Sequence, residues 1–412
     1  MDQELASGLA FREVQEADID VALDHAFMVF NEKPPGAARL ERHREVLRGS
    51  LRIGAYDGPL LVGLLAALPF TLSVPGGDVP CSGVSFVTVS PTHRRRGVLT
   101  GMMAELFRRS ADRPLAALWA SEAAIYGRYG YGYGTYAATV EIDSRRPLAL
   151  RIAPDERPVR LLGKEETVKL LGPYYDATRA SRPGRPARDE AMWREEWLVD
   201  TDEGDDDLTA PRVVALGDPV AGYAVYRTKC GDEDARTPGL VRVDELEADT
   251  PAVAAALWRY LAGIDLTGVV RAWGRPEDDP LPLMAADRDQ VRVTSRFPAM
   301  WLRLVDVRDA MERRAWAAPV DLVLEVRDDR LPANAGVRRL VADGGSCSFR
   351  PEESAAPDLT FDVRDLATCY LGGTRAEHLV RAGLVAEHTP GAAAALDAAL
   401  ATELLPHTSE EF

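Results

Sequence analysis

The sequence predicts an α+β protein built in three successive regions, 1–144, 145–298 and 299–412. Three observations lead there. A β-rich run between Leu51 and Trp119 is broken by one amphipathic helix, with Leu99, Met102, Met103 and Leu106 on one face and Glu105, Arg108 and Arg109 on the other. The same order of strands, helix and strand recurs beyond residue 145. The last region reads as four strands followed by helices, a layered α+β arrangement. At 412 residues the chain is also too long for one compact core.

In order along the chain, Phe11–His25 reads as a short strand and then a helix opening near Ala17-Asp18, continued by Phe27 and Phe30 and stopped by Pro34-Pro35-Gly36. Arg39–Leu47 is a second helix. Strands follow at Leu51–Tyr56, Leu61–Leu68 and Phe70–Pro75, separated by Asp57-Gly58-Pro59 and closed by Gly76-Gly77. Val84–Val89 is apolar and runs through Pro91 and three arginines into Gly97 and the amphipathic helix. Leu115–Trp119 is a further strand, and Ser121 is placed to N-cap a short helix through Ile125 and Tyr126.

Arg145–Arg160 reads as a linker. The second region then offers strands at Val213–Leu216, Ala221–Arg227, Leu240–Leu246 and Val269–Trp273, with a helix near Pro251–Ile264 capped by Asp249 or Thr250. It reads as a degenerate internal copy of the first. Its strand-to-helix turn, Glu245 to Pro251, is acidic and lacks glycine, so it would repel an anion. The third region opens at Ala299, with Met300–Val307 at its start. Strands at Leu322–Arg327, Val337–Ala342, Ser346–Arg350 and Leu359–Val363 precede helices at Asp365–Leu371, Ala376–Ala382 and Gly391–Ala401.

Composition narrows the function classes. Hydrophobic residues at 46% and charged residues at 28% describe a globular protein. The longest apolar run, Pro59–Phe70, falls short of the roughly 18 residues of a membrane span. Glu4, Glu13, Glu16, Asp18, Asp20 and Asp24 leave no apolar signal-peptide core near the N-terminus, which gives an expectation of a cytoplasmic protein with no membrane partner. The four cysteines are scattered without a Cys-x-x-Cys pair, so no metal site is expected. A formal net charge of −16 argues against nucleic acid and, where acids line a cleft, favours a cationic partner. Asp202–Asp207 lacks the spacing of a calcium loop and reads as a solvated loop.

The chemistry concentrates in Gly83–Thr100. A strand that passes through a basic, glycine-punctuated turn into a helix N-terminus aims unpaired N–H groups and the positive end of the helix dipole at one place, which is an anion site. The bland reading is an ordinary strand–turn–helix with solvated arginines. The spacing Val87-x-Val89-x-Pro91-x-x-Arg94-x-x-Gly97 resembles the acyl-CoA pyrophosphate loop of the GCN5-related N-acetyltransferases (GNATs). Leu99 stands where most of that superfamily has Gly or Ala. Pro91-Thr-His-Arg-Arg-Arg-Gly-Val-Leu99 is similar instead to the loop of one actinobacterial branch, the enhanced intracellular survival (Eis) acetyltransferases. Ala120-Ser-Glu-Ala-Ala-Ile-Tyr-Gly-Arg-Tyr-Gly-Tyr-Gly132 also matches that branch.

The resemblance extends over the whole chain and implies tandem GNAT-like domains, the second degenerate, followed by a sterol-carrier-like α+β domain. It implies acetyl-CoA as cosubstrate and no metal. Val87, Thr88 and Val89 would meet its pantetheine and acetyl group, Arg95, Arg96, Gly97, Val98, Leu99 and Thr100 its pyrophosphate, and Ser121 and Glu122 would add cofactor contacts. Tyr126 would be the general acid, suited because a phenol with a reference pKa near 10 stays protonated at neutral pH. The main-chain carboxylate of Phe412 would be the general base, with Glu411, Glu410 and His407 as competitors. Tyr129, Tyr131 and Tyr133 are read as packing.

Asp24, Phe27, Phe30, Trp197, Glu410 and Glu411 are candidates to line a pocket for a polyamine such as an aminoglycoside. The family also implies a homo-hexamer. The rival readings are Nε-acetylation of a lysine in a protein or peptide and a non-catalytic CoA- or lipid-binding module. The absence of a His-Asp pair or a Gly-x-Ser-x-Gly elbow leaves a nucleophilic relay unsupported.

Overall fold

The computed structural model describes residues 8–200, 207–231 and 237–412, and the acidic run at Asp202–Asp207 lies almost wholly outside them. Two compact units divide the chain. The first holds residues 1–135, 300–403 and 410–412, and the second holds 136–299 and 404–409.

The first unit opens with β1 (Leu9–Glu13), α1 (Ile19–Phe30), α2 (Ala37–Arg48), β2 (Leu51–Asp57), β3 (Leu60–Val74) and β4 (Gly77–Val89). It continues through α3 (Val98–Arg109), β5 (Leu115–Trp119), α4 (Ala123–Tyr126) and β6 (Gly132–Tyr133). The two strands expected at Leu61–Leu68 and Phe70–Pro75 are one strand, β3. Pro69 lies beyond Ala67, the last residue of β3 paired to β2, so there β3 is an edge strand, where proline is tolerated. Ser121 does not cap α4; Glu122 precedes the helix and makes no side-chain cap.

The second unit starts at β7 (Tyr136–Asp143) and runs through β8 (Val159–Leu162), α5 (Lys164–Arg179), α6 (Glu190–Met192), β9 (Arg212–Leu216), β10 (Gly222–Lys229) and β11 (Leu240–Ala248). It closes with α7 (Pro251–Ala262), β12 (Val269–Pro276), α8 (Leu281–Met284) and β13 (Val291–Pro298). The stretch read as a linker carries a β-bridge from Leu150 to Ala285 and enters β8 at its end.

Strand order reveals an exchange that spacing along the chain does not show. The first sheet is ordered β1-β2-β3-β4-β5-β14-β6, where β14 is Met300–Leu304, and the second is β13-β7-β12-β11-β10-β9-β8. Each sheet takes the strand beside its central parallel pair from the other side of the sequence boundary. β14 sits between β5 and β6, and β7 between β12 and β13. The changeover therefore falls at Thr135–Tyr136 and Ala299–Met300, whereas the sequence reading placed residues 136–144 with the first region and Met300–Val307 with the third.

The rest of the first unit is α9 (Val307–Arg313), β15 (Val320–Arg327), β16 (Gly336–Ala342), β17 (Cys347–Pro351), β18 (Leu359–Asp362), α10 (Val363–Tyr370), α11 (Ala376–Arg381), β19 (Ala386–Glu387) and α12 (Ala392–Leu400). Its five-stranded sheet is ordered β17-β16-β15-β18-β19. One core joins it to the first sheet, with Leu72, Val79, Leu115, Met300 and Leu302 buried together with Val307, Leu324, Phe349, Leu366 and Leu396. Among the described residues no helix is long and apolar enough to cross a membrane.

Candidate active site

The site in the first unit begins where β4 leaves β5. These strands pair in parallel over three positions only, Cys81, Ser82 and Gly83 against Leu115, Ala116 and Ala117. Beyond Gly83, β4 keeps its antiparallel bonds to β3 but has no pairing with β5 among the described residues. A bulge sits in this free stretch, where Phe86 and Val87 together oppose Leu65. Phe86 adopts φ 52, a costly conformation for a bulky residue and one that concentrates where backbone direction matters. Thr88 is buried, while Val87 and Val89 are half-exposed. An extended amide chain could lie along this edge as a strand would.

The loop that follows is built to leave a helix end open. Pro91–His93 form a single 3₁₀ turn, Arg94 is extended, and Arg95 and Gly97 both take left-handed conformations, φ 62 and φ 77. Gly97 is the N-cap of α3 and supplies no side-chain bond, and a Cβ placed on it would meet nothing within 4 Å. The N–H groups of Val98, Leu99 and Thr100 are therefore left facing an open space at the positive end of a 12-residue helix. Arg94, Arg95 and Arg96 surround it with exposed side chains. Leu99, the residue that departs from the common superfamily signature, packs partly buried against the core beneath.

Asp57, at the end of β2, anchors the loop from below. It accepts from His93 Nε2 at 3.2 Å and from Arg96 Nη2 at 3.3 Å. The His93 hydrogen bond, aided by Arg96, holds the Asp57 carboxyl below its ordinary value. The sequence shows Asp57 only as a turn residue and no His-Asp pair; the structure forms one between His93 and Asp57, residues too far apart along the chain for any local signal to link them.

Tyr126 closes α4. Its ring is buried and packs edge-on against Tyr131, centroids 6.0 Å apart. Its hydroxyl makes no hydrogen bond among the described residues and is not one of the sealed polar atoms, so it remains reachable. Burial, with Glu122 and Tyr129 adding to it, pushes the phenol up to about 12. Ser121 and Glu122 are exposed just before the helix. Tyr129 ties this segment to α3, its hydroxyl 3.2 Å from Thr100 Oγ1 in the helix's first turn.

Phe412 lies at the fork of β4 and β5. Its ring stands edge-on to Phe70 with centroids 5.0 Å apart, and a Cβ on Gly83 would come within 3.3 Å of it. Gly83 is the last β4 residue paired to β5, so the final residue of the chain is seated at the point where the strands diverge. No cation pairs with its α-carboxylate among the described residues. Glu410 is buried, while Glu411 is exposed by area yet crowded enough that its carboxyl is pushed upward.

His407 belongs to the second unit. Burial, and then Arg275, Arg182, Arg185 and Arg188, hold its imidazole well below the ordinary value, so it takes up a proton poorly.

The residues proposed to line a pocket divide. Asp24 is exposed on α1 and Phe30 is 39% exposed, but Phe27 is buried in a core cluster with Ile19, Leu23, Leu47 and Ala66. Phe27 lies on the apolar side of α1, against Leu47 of α2 and Ala66 of β3. Trp197 belongs to the second unit, where its ring flanks the Arg188 guanidinium at 4.1 Å.

Comparison with known proteins matches three successive segments of the chain. Residues 10–134 and residues 184–308 each match a profile described as an Acetyltransferase (GNAT) domain, and residues 307–409 match a Sterol carrier protein domain. The chain is 40% identical to an uncharacterized N-acetyltransferase of Streptomyces avermitilis, over 86% of this chain and 87% of that one. It is 36% identical to the N-acetyltransferase Eis of Mycobacterium tuberculosis, over 88% of each. Among solved structures, Eis1 from Mycobacterium abscessus superposes with a TM-score of 0.84 at 32% identity, covering 98% of this chain and 100% of that one.

Proposed function

The chain belongs to the Eis family of GCN5-related N-acetyltransferases, and we propose that it transfers acetyl groups from acetyl-CoA to amines of an aminoglycoside-type polyamine, at one or more positions. The observation that carries the cosubstrate is the uncapped N-terminus of α3 beside the unpaired edge of β4. An anion site and an amide-binding edge adjoin there, as a molecule with a pyrophosphate and an extended amide arm requires. The N–H groups of Arg95 to Thr100 would hold the phosphates, and Val87, Thr88 and Val89 the pantetheine arm. Bound there, the thioester supplies an activated acetyl group.

The remaining chemistry is proton handling by this chain. The amine must be neutral to attack, and the α-carboxylate of Phe412 takes that proton. The Phe412 ring, partly buried against the core, holds this carboxylate in place. Tyr126 delivers a proton to the departing sulfur. The burial that raises its phenol also raises a thiolate formed against it, so the transfer is not left as unfavourable as solution values imply. Asp24, Phe30 and Glu411 are the acidic and apolar groups that would meet the polyamine, and the net charge of −16 draws it in. The family resemblance supports a cytoplasmic homo-hexamer.

An acetyl-CoA turnover assay with a kanamycin-type aminoglycoside and a lysine peptide side by side, with and without residues appended to Phe412, tests the reading. Expected are aminoglycoside turnover in preference to peptide and loss of activity on extension. Turnover of the peptide alone would move the substrate to protein lysines. Full activity of the extended chain would move the base elsewhere, and calorimetry showing no acetyl-CoA binding would make the protein a non-catalytic module.

A further inference from the structure

The segment Tyr126–Gly134 reads in sequence as a glycine-rich turn with aromatics, yet its glycines do more than turn the chain. Gly127 has φ −55 and ψ −37, ordinary helical values open to any residue. What a side chain there would have to push aside is the guanidinium of Arg364, at the start of α10. A Cβ on Gly127 would lie 2.7 Å from its Nη1 and 2.8 Å from its Cζ. Gly132 is in the same position against the next turn of α10, where a Cβ would fall 2.1 Å from the Arg364 carbonyl oxygen and 2.3 Å from Thr368 Oγ1. Thr368 Oγ1 also accepts from the Tyr133 N–H at 3.1 Å.

Arg330 donates to the Arg128 carbonyl at 3.2 Å. Arg303, fully buried and paired with Asp328 at 2.6 Å, closes on Gly130. The Arg364 guanidinium itself makes no ion pair or hydrogen bond among the described residues. It lies against Gly127 and 5.9 Å from the Tyr133 ring, and it interacts electrostatically with Asp365 on its own helix. A half-buried arginine pressed on the residue that follows Tyr126 is placed to limit that residue's movement.

We propose that Arg364, supported by Thr368 on α10, is a positioning residue for Tyr126, so that the sterol-carrier-like region sets the aim of the catalytic phenol. The inference rests on the reading of Tyr126 as general acid. With Gly127 lacking a Cβ, the flat guanidinium blocks the movement by which α4 would tilt and swing the Tyr126 hydroxyl. Displacing a reacting group by an ångström is costly in rate while leaving distant binding contacts untouched.

Steady-state turnover, acetyl-CoA affinity by calorimetry and thermal stability of the full-length chain test it in four variants: Tyr126→Phe, Arg364→Ala, Gly127→Ala and the Arg364→Ala/Gly127→Ala double. Arg364→Ala should lower kcat about 10-fold with acetyl-CoA affinity within about twofold of the parent. Gly127→Ala should do the same by driving the guanidinium aside, and because it displaces only the end of a flexible side chain it keeps the test open if Arg364→Ala folds poorly. The double variant should be no worse than Arg364→Ala, since the methyl then enters vacated space. A parent-like kcat in Arg364→Ala and Gly127→Ala, additive losses in the double, or affinity falling in step with kcat would overturn the inference. An unchanged kcat in Tyr126→Phe would instead remove the reading beneath it.

Discussion

The two GNAT domains carry the same backbone device and use it in opposite ways. In each, a strand leaves its parallel neighbour after a short pairing and bulges at the departure: β4 after three pairs, with Phe86 in the bulge, and β11 after four pairs, with Asp244 in the bulge. In each, a 12-residue helix follows. The first helix end is open, since Gly97 caps nothing. The second is closed by its own residues, because Thr250 Oγ1 accepts from the Val253 N–H and Pro251 at the first position has no N–H to offer.

The edge of β11 is likewise occupied. Arg275 donates to the Leu246 carbonyl at 3.0 Å, and Arg188 forks onto Glu245 at 2.6 and 2.8 Å. Burial alone would push Glu245 up; Arg188 and Arg185 bring it below its ordinary value. Tyr223 and Ser409 complete the cluster, Ser409 arriving on the 404–409 segment. The open notch of the first domain thus differs from the filled notch of the second mainly in what is left out: the side-chain cap, the Cβ at the N-cap and the partner for the strand edge.

That contrast can be broken most forcefully at Gly97. Gly97→Asp puts a side chain and a negative charge at the open end of α3 and strains a left-handed position; acetyl-CoA affinity by calorimetry should fall about 100-fold, or ~2.7 kcal/mol. Asp57→Asn leaves the helix end open but loosens the loop around it by releasing His93 and Arg96. A weakening of about fivefold is expected in the same measurement, and no change would show that the loop is ordered without it.

Thr250→Ala should cost about 1 kcal/mol of stability in denaturant unfolding and leave acetyl-CoA affinity at the parent value, because the second notch stays filled. The smallest effect is in pH. The Tyr126 phenol has its folded-state value raised to about 12, above the unfolded value near 10, so its contribution to stability is complete below pH 10 and is lost as pH rises through 12. Activity with a fixed neutral amine should show no Tyr126 ionisation limb below about pH 10, and a limb at lower pH would mean that the phenol is better solvated than its packing implies.

Much of this was legible because it is written locally. The amphipathic face of α3, the glycine after three arginines, the Thr250-Pro251 start of α7 and the acidic turn before it are all spacings of a few residues, which helix geometry and capping translate directly into structure. Tyr126 and the Phe412 terminus came from motif resemblance.

Other features had no local signature. Which strand stands beside β5 or β12 is decided by burial between segments more than a hundred residues apart, and β7 and β14 read equally well as members of either sheet. Phe27 carries the spacing of a helix face, but whether that face meets substrate or α2 depends on what packs over it. Asp57 under the loop, Gly83 under Phe412 and Arg364 against Gly127 are likewise pairings of distant residues, chosen by shape and charge once the sheets have formed. The sequence alone determined the chemical groups and the elements that carry them. Only the tertiary structure decided which notch stays open and what packs around Tyr126 and Phe412, because those outcomes depend on long-range packing that no short spacing encodes.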